Sequence, residues 1–138
     1  MTDPEPDLDA TGLLHRLMPF AGHVGLVALR SPAGLVHLRL PWRADLCTVD
    51  GVLHGGVIAT GGDCAAAAVA SLGLPAGATG TTTVETGVHF FRPVRAGHAA
   101  FLARILHGGR RTIVAEVVVR DAAGREVARQ VQTQAVLW

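Results

Sequence analysis

The sequence predicts an α+β domain in which an antiparallel β-sheet wraps around one long central helix, and two stretches of chain carry that expectation. Residues 55–72 are small and helix-compatible, with Ala65, Ala66, Ala67 and Ala68 at their centre, and the run is too long for a typical strand. Four strand-like runs follow it, at 81–91, 99–106, 112–120 and 126–136. They are joined by the short linkers Pro93-Val94-Arg95-Ala96-Gly97, His107-Gly108-Gly109-Arg110 and Asp121-Ala122-Ala123-Gly124. Strands joined so tightly are expected to pair antiparallel, each with its neighbour in sequence. A sheet that buries one face must bury it against another element, and the helix is the only element long enough to serve. Its Ala and Gly residues allow the strands to approach closely.

The remaining elements complete an order β-β-α-β-β-β-β. Residues 1–10 hold Asp3, Glu5, Asp7 and Asp9 with Pro4 and Pro6, and are expected to form a disordered acidic tail ahead of a single domain over residues 11–138. Residues 13–20 have helical spacing of apolar side chains and are expected to stop at Pro19. The runs 24–30 and 35–40 flank Ser31-Pro32-Ala33-Gly34 and read as a β-hairpin. Residues 41–52 lack periodicity and are expected to be an irregular connection.

Composition narrows the function classes. With 138 residues, 49% of them hydrophobic, and a formal net charge of +1, the chain fits one globular domain with a substantial core. No nucleic-acid partner is expected from that charge, and the exclusive use of Arg among its 12 basic residues reads as compositional bias. The acidic opening lacks the basic and apolar segments of a secretory signal, so a cytoplasmic location is expected. The apolar stretch 57–70 is interrupted by Gly61, Gly62 and Asp63 and is shorter than a membrane span, so no membrane partner is expected. Cys47 and Cys64 form no CxxC pattern, and the seven histidines form no HExxH; no metal site is expected.

One position in the helical run resists a purely structural reading. Burying the Asp63 carboxylate among Gly62, Cys64 and Ala65 without partners would cost several kcal/mol. Gly61 and Gly62 add to the case, because each glycine costs about 1 kcal/mol relative to Ala inside a helix and implies a close approach. Upstream, Leu53-His54-Gly55-Gly56 enters the helix, so the amides of Gly55 and Gly56 fall among its unpaired N–H groups and face incoming negative charge. That arrangement suits an oxyanion hole. A phosphate loop is rejected, since Gly62-Asp63 stands where Lys-Ser/Thr is needed, and no GxSxG marks a serine nucleophile.

The run Gly51-Val52-Leu53-His54-Gly55-Gly56-Val57-Ile58-Ala59-Thr60, with Asp63 nine residues after His54, resembles the hotdog-fold thioesterases of the phenylacetate-degradation (PaaI-like) type. So do Thr83-Val84-Glu85, Phe90-Phe91-Arg92-Pro93 and Gly97, and the likeness covers about residues 45–137. The resemblance implies a hotdog fold and hydrolysis of an acyl thioester, with coenzyme A as part of the substrate and no further cofactor. It implies that the Gly55 amide polarises the thioester carbonyl and that Asp63 activates water or attacks directly. His54 would order the loop or position the substrate, and Thr83 would orient the water. The chain departs from the pattern at Thr48, where an Asn is common and would help position the carbonyl, and at Gly61, where a Leu is frequent.

Helix geometry adds a constraint of its own. Gly55 and Asp63 are eight residues apart, about 12 Å along one helix axis, whereas a reacting carbonyl must lie about 3 Å from its oxyanion donor and close to the base. The site is therefore expected to be shared between two chains, and the resemblance implies a homo-oligomer, a dimer or a dimer of dimers. Arg92, Arg95, Arg110 and Arg111 fall in turns from which they could meet the phosphates of coenzyme A, with Thr48 and Gly56 also expected on the substrate side. Two alternatives remain: a non-catalytic binder of acyl thioesters on the same fold, and a hotdog hydratase or dehydratase, which would need a His–carboxylate pair.

Overall fold

The computed structural model describes residues 4–138. Helix α1 (Leu8–Leu17) begins where the Asp7 carboxylate accepts the Ala10 N–H at 2.9 Å, satisfying an otherwise orphaned donor. Asp7 N–H also donates to Ala28 O at 2.9 Å, and Pro6 bridges Leu29. The acidic tail expected over residues 1–10 is thus corrected for its described part, because its carboxylate caps a helix and its backbone pairs with the sheet; residues 1–3 lie outside the described residues. The first helical segment stops at Leu17, just ahead of Pro19 as expected, but Pro19 does not close the helical stretch. It occupies the first turn of a second helix, α2 (Pro19–Val24), where its missing N–H would have been unpaired anyway.

Strands β1 (Val27–Leu29) and β2 (Leu35–Pro41) form the expected hairpin, and an irregular segment with two single 3₁₀ turns leads to the central helix α3 (Gly55–Leu72). Strands β3 (Gly80–Phe90), β4 (His98–Gly108), β5 (Thr112–Asp121) and β6 (Glu126–Leu137) follow. All neighbours pair antiparallel in one six-stranded sheet of order β1-β2-β4-β5-β6-β3. The expectation that β3 would pair with β4 is therefore wrong. The linker between them is drawn toward the start of α3: Leu53 N–H donates to Val94 O at 2.8 Å, Trp42 N–H donates to Gly97 O at 2.9 Å, and Val94 is buried. Tied there, the linker carries the chain from the sheet edge to its centre, and β4 fits between β2 and β5.

Helix α3 packs against β2, β3, β4, β5 and β6, which is the hotdog arrangement. At 18 residues and a mean hydropathy of 1.3 it is long and apolar enough to match a membrane span, contrary to the expectation drawn from its interruptions. It serves instead as the core helix of the sheet, with Ile58, Ala65, Ala66 and Val69 buried beneath the strands. Its glycines set the spacing. A Cβ on Gly61 would fall within the ring of Phe101, which is fully buried, and a Cβ on Gly62 would collide with the side-chain amide of Gln130. Gly61 thus replaces a bulkier side chain because the Phe101 ring fills that space.

Gly61→Ala should therefore destabilise the protein by about 1–3 kcal/mol through overpacking, even though the same change favours an isolated helix by about 1 kcal/mol. Thermal unfolding of Gly61→Ala, with Gly61→Ala/Phe101→Leu as the relief variant, should show the loss in the first and partial recovery in the second.

Candidate active site

The entrance to α3 is built by backbone bonds. His54 N–H donates to Leu46 O at 2.9 Å and Thr48 N–H to Val52 O at 2.8 Å, while the Trp42 indole donates to Gly51 O at 3.0 Å. Asp50 adopts a left-handed φ of 58° in this turn, a conformation Asp tolerates better than most residues. His54 is the N-cap, and its Nδ1 accepts the Gly56 N–H at 2.8 Å. A neutral His54 ring therefore carries its proton on Nε2. The resemblance implied a loop-ordering or substrate-positioning role for His54, and this bond ties its ring to the first turn of the helix.

The two glycines of the motif are not equivalent. The Gly56 amide is engaged by His54, whereas the Gly55 amide has no acceptor among the described residues and sits half-buried beneath the Phe90 ring. A Cβ at Gly55 would come within 3.2 Å of that ring, a tight contact to which the half-exposed Phe90 side chain would have to yield slightly. Gly55, Thr48, Phe90, Phe91 and Arg92 line a hollow of about 330 Å³. A neighbouring hollow of about 650 Å³ is lined by Arg92, Arg95 and Arg125. Arg92 is steadied by donation to Glu126 O at 2.7 Å, and Arg95 by donation to Asp50 O at 2.8 Å. Arg110, by contrast, lies over the Trp138 ring, 4.3 Å from its centre.

Asp63 lies two turns further along α3 and lines neither hollow. The sequence suggested a poorly hydrated carboxylate, but in the single chain Asp63 is exposed, beside the open edge of the sheet at β3. Its Oδ1 accepts from Gln132 Nε2 at 2.7 Å and from the Thr83 hydroxyl at 3.2 Å. Thr83 and Asp63 are thus brought together as the motif suggested, while Gly55 and Asp63 remain on separate turns of one helix. Gln132 went unnoticed in the sequence. Its signal was the alternation Gln130-Val131-Gln132-Thr133-Gln134, which places polar side chains at three successive inward positions of β6.

Cys64 follows the carboxylate directly but is no competing nucleophile. Burial and, after it, the negative charge of Asp63 push its thiol up to about 11, so it stays protonated at neutral pH. Alkylation with iodoacetamide at pH 8 should leave Cys64 unmodified in the folded protein, as peptide mass spectrometry would show, and labelling that keeps pace with the unfolded chain would contradict the burial. Among the described residues, no three His, Cys, Asp or Glu side chains cluster at metal-binding distance.

Comparison with known proteins places this arrangement among relatives. Residues 50–128 match the family model of the thioesterase superfamily. The proofreading thioesterase EntH of Klebsiella pneumoniae is 34% identical over 109 residues, covering 75% of this chain and 74% of that protein. Among solved structures, a mutant of the phenylacetic acid degradation protein PaaI from Thermus thermophilus superposes with a TM-score of 0.77 at 28% identity, covering 86% of this chain and 99% of that one. The thioesterase HI1161 from Haemophilus influenzae shares the fold at a TM-score of 0.85 and 22% identity, covering 92% and 90% of the two chains.

Proposed function

The chain belongs to the thioesterase superfamily and is a thioester hydrolase, and on that premise we propose that it cleaves acyl-coenzyme A at a site assembled from two copies of itself. Asp63 of one protomer is the base, and the Gly55 amide of its partner is the electrophile. The observation that carries this reading is the separation of the two groups by eight residues of α3, about 12 Å along the axis. Strand β3 adds support. It ends the sheet as an 11-residue edge whose residues 82–86 are exposed beside Asp63, a surface suited to pairing with another copy.

In the proposed reaction the partner's Gly55 N–H donates to the thioester carbonyl oxygen. Asp63 Oδ2, which has no partner among the described residues, accepts a proton from water as that water attacks the carbonyl carbon. The tetrahedral oxyanion stays on the Gly55 amide at the helix N-terminus. Its collapse breaks the C–S bond, and the proton held by Asp63 passes to the departing sulfur, leaving free acid and thiol. Phe90 and Phe91 flank the Gly55 side of the carbonyl, Thr48 lines the same hollow, and Arg92 and Arg95 meet the phosphates of coenzyme A. The hydratase alternative is disfavoured, because the Asp63 side chain is partnered by Gln132 and Thr83 rather than a histidine, and His54 Nδ1 is held by Gly56.

Replacing Asp63 with Asn should lower kcat for acyl-coenzyme A hydrolysis by about 10²–10⁴-fold. Gly55→Pro removes the amide donor at a first-turn position that tolerates proline, and should cost about 10²–10³-fold. Mixed after joint refolding, the two inactive variants should regain about a quarter of wild-type activity, since half of randomly paired dimers are mixed and each holds one intact site. Thiol-release assays that find no recovery in the mixture would place both groups within one chain. Wild-type turnover by Asp63→Asn would remove the base altogether.

Arg92→Ala/Arg95→Ala should raise KM for an acyl-coenzyme A about tenfold while leaving the matching acyl-pantetheine, which lacks the nucleotide, unchanged. An equal loss on both substrates would show that these arginines do not read the phosphates.

A further inference from the structure

A buried amide ladder runs along the inner face of β6 beneath the carboxylate. Gln130, Gln132 and Gln134 are all essentially inaccessible to solvent, yet the oxygens of Gln130 and Gln132 find no partner among the described residues. Leaving such groups unpaired is destabilising. Their nitrogens are all engaged: Gln130 donates to Ala59 O at 3.3 Å and to the Thr86 hydroxyl at 2.8 Å, and Gln134 donates to the Thr83 hydroxyl at 2.8 Å. Gln132 donates to the Thr83 hydroxyl at 3.1 Å and to Asp63 Oδ1 at 2.7 Å.

The hydroxyl of Thr83 has one hydrogen and two lone pairs. Gln132 and Gln134 occupy both lone pairs, so the hydrogen is left for Asp63 Oδ1 at 3.2 Å. No water can then be oriented by Thr83 without breaking one of these bonds. The amide of Gln132 cannot turn over either, since its oxygen would then face a carboxylate oxygen at 2.7 Å. A β-bulge makes the arrangement possible. Thr83 pairs opposite Gln134 and Glu85 opposite Thr133, so Val84 is an extra residue, and Thr83 and Thr86 meet the same row of amides although they are three apart.

From this geometry we infer that Gln132 and Gln134 are positioning residues for the hydrolysis, and that Thr83 acts as a donor to the Asp63 carboxylate rather than to the attacking water. Two donors converge on Oδ1, fix the rotation of the carboxylate and leave Oδ2 as the reactive oxygen. The inference rests on Asp63 being the base, and it revises the water-orienting role that the family resemblance implied for Thr83.

Steady-state kinetics on an acyl-coenzyme A that the wild type hydrolyses, with thermal unfolding of each variant, test it. Gln132→Met keeps the shape but removes the donors and the unpaired oxygen; kcat should fall about 10- to 100-fold, with KM within about twofold of wild type and a melting temperature equal or higher. A loss of packing would lower that temperature instead. Thr83→Val should lower kcat comparably, and Thr83→Ser, which keeps the hydroxyl, should restore most of it. Gln132→Met/Thr83→Val should lose less than the product of the two single losses, because the Gln132 amide also holds the Thr83 hydroxyl at 3.1 Å and the two act together on one oxygen. Should Gln132→Met fail to fold, Gln134→Met, which loses only the Thr83 contact, should still lower kcat severalfold. Wild-type kcat in the folded glutamine variants, alongside an inactive Asp63→Asn, would overturn the brace and leave the base standing. Multiplying losses in the double variant would return Thr83 to the water. An active Asp63→Asn would instead overturn the base itself.

Discussion

The close approach of α3 to the sheet is the constraint on which the site depends. Gly61 and Gly62 let the helix settle until the Phe101 ring and the Gln130 amide occupy the space where side chains would stand. A helix held further out would leave Gln132 too distant to bond Asp63, since their contact is already only 2.7 Å and spans from strand to helix. The two glycines weaken the helix locally, and the lost propensity is offset by buried packing around Phe101, Ala65 and Val69. Packing and site geometry are therefore consequences of the same pair of residues.

The two ends of the site follow different logic. At the helix entrance, all but one of the first-turn amides find an acceptor among the described residues: His54 takes the Gly56 amide, and His54 O receives the amides of Val57 and Ile58. What remains is a single N–H on Gly55, aimed from the positive end of the helix dipole. At Asp63 the reverse holds, with one carboxylate oxygen tied to two donors and the other left open. Each end presents one unsatisfied group of complementary character, a donor at one and an acceptor at the other, set too far apart on one helix to act on the same atom.

Much of this was legible in the sequence, and the parts that were not share a cause. The limits of α3 could be read because its run of small, helix-compatible residues stops at Gly73; that His54 caps its start emerges only from the structure. The strands could be located by composition and turn residues for the same reason. Their pairing could not: β3 abandons its sequence neighbour because Val94 O is claimed by Leu53, a bond between residues 41 apart. Asp7 misled because an acidic, proline-flanked stretch reads equally well as a tail or as a helix start, and only its own bond to Ala28 and the bridge of Pro6 to Leu29 decide. Gln132 was not legible as a site residue because the alternation of Gln130, Gln132 and Gln134 marks a polar inner face but not what that face meets. It acquires a role only once the register of β6 with β3, and the bulge at Val84, bring it beneath Asp63.

An exposed carboxylate beside an unpaired strand edge is a poor environment for a base if the chain stands alone, because bulk water would screen it and solvate its reactive oxygen. Under the proposed function, the second copy resolves this with the same contact that completes the site. An isologous pairing repeats every contact twice, so apposing one protomer's Gly55 to its partner's Asp63 necessarily apposes the other two as well. Both carboxylates are then covered and both amides filled by a single interface. A head-to-tail contact would cover only one of each and leave the other pair open. The exposed Val84, 60% accessible in the single chain, lies within that edge, so the bulge that aims Thr83 inward also places an apolar side chain on the surface that a partner would bury. On that reading assembly and catalysis are coupled through β3: the strand that supplies the hydroxyl beneath the carboxylate also presents the edge that would recruit its electrophile.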